Sequence, residues 1–86
     1  MSKKRRELLE VYYDVLKELR RNPMRITYLM RKCNIDTRMA KQVIGALMSK
    51  GLIVSKNEKK YKLYYITEKG ARFLELYESL QELLKK

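Results

Sequence analysis

Residues 27–51 read TYLMRKCNIDTRMAKQVIGALMSKG, and this stretch decides the fold. Leu29, Met30 and Cys33 recur at helical steps, which places them on one face of a short helix over 28–33. Thr27 stands at its N-cap position. Asn34-Ile35-Asp36 has the composition of a tight turn. Asp36 is a strong N-cap for a second helix over 37–50, with Ala40, Val43, Ile44 and Leu47 facing inward. Gly51 then suits the left-handed residue that ends a helix.

Working outward, Leu8, Tyr12, Val15, Leu16 and Leu19 mark the inner face of a helix over 5–21, and Asn22-Pro23 stops it. After Gly51, residues 52–56 and 61–66 read as short strands, with 57–60 as a polar hairpin tip. Thr67 caps a final helix to about Leu84. Two short helices joined by a tight turn form a helix-turn-helix, and the hairpin after them is a wing. The expected class is α+β, mostly α: a three-helix core, a two-stranded β wing and a C-terminal helix. No repeat, low-complexity segment or linker interrupts the chain.

Composition narrows the function. A chain of 86 residues is one small domain with a thin core. It has no His and one Cys, which removes the commonest general base, Cys-based zinc sites and disulfides. An enzyme is therefore not expected, and no cofactor, metal or small-molecule substrate is indicated. No apolar run approaches the length of a membrane span, so a cytoplasmic protein is expected. The net charge is +11, and all of it lies in residues 1–66, which hold 17 basic and 6 acidic residues. Residues 67–86 carry four of each sign. This divides the chain into a polyanion-binding body, 1–66, and a neutral helix, 67–86, with another task.

Each candidate has a functional and a structural reading. Arg38, Lys41, Gln42 and Gly45 share the outward face of helix 37–50, with Thr37 and Met39 at its start. Arg and Gln can contact guanine and adenine edges bidentately, and the alternative is a merely solvated face. Gly45 is costly inside a helix and signals close approach to DNA or to another backbone, the alternative being a local packing demand from the wing. Lys56, Lys59, Lys60 and Lys62 crowd the hairpin, where they suit phosphates or protect a strand edge. Arg25 and Tyr28 lie where the short helix begins and are phosphate candidates. Lys3-Lys-Arg-Arg6 is either a DNA-contacting arm or a solvated tail. Tyr12, Tyr64 and Tyr77 occupy core positions, and Cys33 is a small buried apolar residue. In the last helix Phe73, Leu76, Tyr77, Leu80, Leu83 and Leu84 supply more apolar surface than one domain needs and form a dimer seam.

Three segments carry a resemblance. Residues 27–36, the Leu47–Ile53 stretch ending in Lys-Gly-Leu-Ile, and Tyr64-Tyr-Ile-Thr-Glu-Lys-Gly70 followed by Phe73, Leu74 and Tyr77 resemble archaeal winged-helix proteins over roughly residues 8–84. These are small chromatin and transcriptional-regulator proteins that dimerise through an antiparallel coiled coil of their last helices. The resemblance implies a homodimer on double-stranded DNA, associated with the nucleoid, with helix 37–50 in the major groove. A sequence-blind chromatin protein, one that binds RNA, and a winged-helix protein-interaction module are the alternatives.

Overall fold

Leu16, Leu29 and Leu47 are fully shielded from solvent, and three helices meet around them. A computed structural model describes residues 7–85. The order is α1 (Leu8–Arg21), α2 (Ile26–Cys33), α3 (Thr37–Ser49), β1 (Ile53–Glu58), β2 (Tyr61–Ile66) and α4 (Glu68–Lys85). The wing is an antiparallel pair in which Ile53 faces Ile66 and Glu58 faces Tyr61. Val11, Val15, Val43, Ile53 and Leu74 complete the shielded core, so every helix and the wing contribute to it. Fully burying one such side chain stabilises the fold by about 1.5–3 kcal/mol. No helix among the described residues is long and apolar enough to cross a membrane.

Local chemistry sets the boundaries. The Asp36 carboxylate accepts from the Met39 amide at 2.8 Å, as its N-cap role requires. The α3 helix ends in a complete Schellman motif. The Gly51 amide donates to the Met48 carbonyl at 3.0 Å, and the Leu52 amide donates to Leu47 at 2.9 Å. Gly51 takes φ +75°, the conformation that glycine adopts most cheaply. Asn34 turns the chain between α2 and α3 at φ 55°. The Gly70 amide donates to Thr67 Oγ1 at 3.1 Å, so Thr67 caps α4.

Some expectations need correction. The α2 helix starts at Ile26, so Thr27 lies inside it and the N-cap residue is Arg25, with no side-chain bond. The cause is tertiary. Met24 forms a bridge with Tyr64, and the Tyr64 amide donates to the Met24 carbonyl at 2.9 Å. That pins the chain in extended form up to Met24 and lets the helix begin directly afterwards. Leu8 is exposed, whereas Val11 takes the inward position at that end of α1. Met30 is half-buried. The hairpin tip is Lys59-Lys60 alone, because Asn57 and Glu58 extend β1 and pair with Lys62 and Tyr61. The basic run Lys3–Arg6 lies outside the described residues.

Candidate nucleic-acid interface

The α3 helix buries Ala40, Val43, Ile44 and Leu47, which leaves Arg38, Lys41, Gln42 and Gly45 exposed together on the other side. A Cβ on Gly45 would meet nothing within 4 Å in this chain. The wing therefore does not demand a glycine there, although its cost in a helix interior is about 1 kcal/mol. Thr37 is exposed in the first turn, while Met39 is half-buried and packs against the core. Residues 25–66 hold ten basic and two acidic residues. Both acids have partners, Asp36 in its cap and Glu58 at 2.7 Å from the Tyr65 hydroxyl. The Glu58 carboxylate holds the Tyr65 phenol above its ordinary pKa by accepting that hydrogen bond. The surface of this segment is thus strongly and unevenly positive.

The four wing lysines are all exposed, but they do not share one face. Side chains alternate along a strand, so Lys56 and Lys62, one position out of register, stand on opposite sides. Lys56 lies over the Tyr65 ring at 5.0 Å. Lys59 takes a left-handed φ of 57° at the tip. Gly, Asn or Asp would adopt this conformation more readily, so the lysine places charge there at a conformational cost.

One member of the site was not among the candidates. The Arg25 guanidinium lies 4.2 Å from the Tyr61 ring centroid and 4.9 Å from that of Tyr28. Arg31 lies 5.3 Å from the same Tyr28 ring. The three-residue spacing of Arg25, Tyr28 and Arg31 was a legible signal for neighbours on one helix face. Tyr61 carries no such signal, since it reaches Arg25 only after Met24 has paired with β2.

The α4 helix packs on α1 through buried Leu74, and Tyr77 stacks on Tyr13 with centroids 4.7 Å apart. Arg20 Nη2 bonds Glu78 Oε2 at 3.1 Å, and the Tyr13 hydroxyl donates to the same oxygen at 3.2 Å. Tyr77 and Phe73 are half-buried within the chain. Leu76, Leu80, Leu83 and Leu84 keep 60%, 51%, 74% and 72% of their surface exposed.

Solved structures share this fold. Sso10a-2, a DNA-binding protein from Sulfolobus solfataricus, superposes with a TM-score of 0.82 at 25% identity, covering 93% of this chain and 83% of that one. The transcriptional regulator BldR from the same organism gives 0.76 at 24% identity, covering 87% of this chain and 57% of that one. A probable transcriptional regulator from Pseudomonas aeruginosa gives 0.78 at 20% identity, covering 87% and 59%. This chain thus spans little more than half the length of the latter two. No curated protein sequence matches it. A family model described as winged helix-turn-helix matches residues 5–85, which takes in all three core helices, the wing and α4, and the chain belongs to that family.

Proposed function

We propose that this protein binds duplex DNA as a homodimer and regulates transcription, with α3 in the major groove. The observation that carries this reading is the outward face of α3. There Arg38, Lys41 and Gln42 surround a glycine that the fold itself does not require. Arg38 suits the O6 and N7 acceptors of guanine, and Gln42 suits the N6 and N7 groups of adenine. Gly45 lets the helix backbone approach the groove closely. Lys41 and the wing lysines hold phosphates, which position the protein without reading sequence.

The exposed leucines of α4 form the dimer seam in this reading. The helix is nearly neutral, so two copies pair there without bringing their basic bodies together. Two α3 helices are then held for half-sites about 34 Å apart. That the structural relatives include a DNA-binding protein and transcriptional regulators supports the same conclusion. Such a protein works in the cytoplasm, on the nucleoid. Sequence-blind packaging is the second reading, favoured by lysines on both faces of the wing.

Titration of a labelled duplex at several salt concentrations tests the proposal. If a dimer neutralises roughly eight phosphates, the slope of log K against log salt is about −7. A slope shallower than about −2 would mean that the charge excess is not a binding surface.

A further inference from the structure

Arg25 is half-buried, and the centre of its guanidinium lies over two tyrosine rings, 4.9 Å from the Tyr28 centroid and 4.2 Å from that of Tyr61. No carboxylate or carbonyl among the described residues is hydrogen-bonded to its N–H groups. The acid that lines the same recess, Glu58, is instead bonded to the Tyr65 hydroxyl. An arginine has five N–H donors in a planar fork and no acceptor capacity, so a guanidinium held against the two rings still offers its N–H groups to a partner. That partner must be an acceptor and, with Lys59 in the recess and Arg31 beside Tyr28, an anion.

We propose that the Tyr28–Arg25–Tyr61 stack is a preformed seat for one backbone phosphate of duplex DNA, with Tyr28 and Tyr61 as positioning residues. The inference rests on the DNA-binding reading above. A guanidinium edge matches two phosphate oxygens in a way that a lysine ammonium does not. Contact with the two rings restricts the long side chain before DNA arrives, so less freedom is lost on binding. Tyr61 belongs to the wing and Arg25 to the start of α2, so the same phosphate contact fixes the wing against the helix-turn-helix. A seat of this kind adds affinity on every sequence and preference on none.

The test is duplex affinity for Arg25→Lys, Arg25→Ala, Tyr61→Leu, Tyr61→Phe and the double variant Arg25→Ala/Tyr61→Leu. Arg25→Lys keeps the charge yet binds about tenfold more weakly. Tyr61→Leu loses about three- to tenfold, while Tyr61→Phe, which keeps the ring, binds like wild type. The double variant binds no more weakly than Arg25→Ala alone, because Tyr61 acts only through Arg25. Wild-type affinity in Arg25→Lys, or a Tyr61→Leu loss that persists in full without Arg25, overturns the seat while DNA binding stands. A wild-type protein that binds no duplex overturns the parent reading, and the seat with it.

Discussion

The Thr67 hydroxyl donates to the Gly51 carbonyl at 2.7 Å, and Thr67 Oγ1 in turn accepts from the Gly70 amide at 3.1 Å. One side chain therefore joins the end of α3 to the start of α4. The Lys69 ammonium adds a bond to the Lys50 carbonyl at 2.8 Å, where it also complements the negative end of α3. Together with the packing of Leu74 and Tyr77 of α4 against α1, this joint sets how α4 leaves α3. Thr67→Val keeps the shape and removes both hydroxyl bonds, so it destabilises the protein by about 1–2 kcal/mol. Urea unfolding measures this, and an unchanged midpoint would show that the joint does not depend on the hydroxyl.

Two glycines respond oppositely to alanine. At Gly70 a new Cβ would overlap the Leu52 carbonyl, which is backbone and does not move aside, so Gly70→Ala costs about 1–3 kcal/mol. At Gly45 the Cβ enters open space, and Gly45→Ala stabilises the free protein by about 0.5–1 kcal/mol. In the proposed complex the same methyl stands between α3 and the groove, so DNA binding weakens while stability rises. Paired denaturation and duplex-binding measurements check this, and a Gly45→Ala protein that binds as tightly as wild type would remove the close approach.

Much of this architecture was legible because it rests on local chemistry. The Asp36 cap, the Gly51 stop and the alternation of inward residues in α3 follow from neighbours a few positions apart. What escaped required distant partners. The start of α2 depends on the pairing of Met24 with Tyr64, forty residues later. Leu8 has the right spacing for the core, but among the described residues it keeps 43% of its surface exposed. The wing lysines were legible as a cluster, whereas their division between two faces depends on a register set by the two-residue tip. Tyr61 looked like one more strand aromatic, and its part in the Arg25 stack needs the folded hairpin.

The α4 leucines give the proposed dimer its test. Leu80→Glu with Leu84→Glu changes two exposed positions, so the fold survives while the apolar seam is broken. The double variant sediments as a monomer at tens of micromolar and binds DNA much more weakly. A wild-type monomer at that concentration, or a dimeric variant, would take α4 out of the interface.

The tie between α1 and α4 depends on pH from both sides. The Arg20 guanidinium bonded to Glu78 holds that carboxyl below its ordinary value of 4.5. A lowered folded pKa contributes stability above the unfolded value, and this is lost as pH falls through the folded one. Tyr13 is shifted upward, chiefly by burial and then by its bond to Glu78, so its contribution holds below pH 10.0 and is lost as pH rises through the folded value. Glu78→Gln should flatten the decline in stability below pH 4.5 without abolishing folding. The effect is small because the pair is exposed. Urea midpoints that fall in parallel for the two proteins would assign the acid loss elsewhere.

Selection of bound sequences from a random duplex pool, run with wild type, Arg38→Ala and Lys59→Ala/Lys60→Ala, tests base reading by α3 most directly. The wild type enriches a consensus. Arg38→Ala loses about 1–3 kcal/mol on that site and relaxes one or two of its base pairs. The double lysine variant weakens all sequences alike and keeps the consensus. If wild type enriches nothing, or if Arg38→Ala weakens preferred and random duplexes equally, then α3 does not read bases and the protein packages DNA by charge.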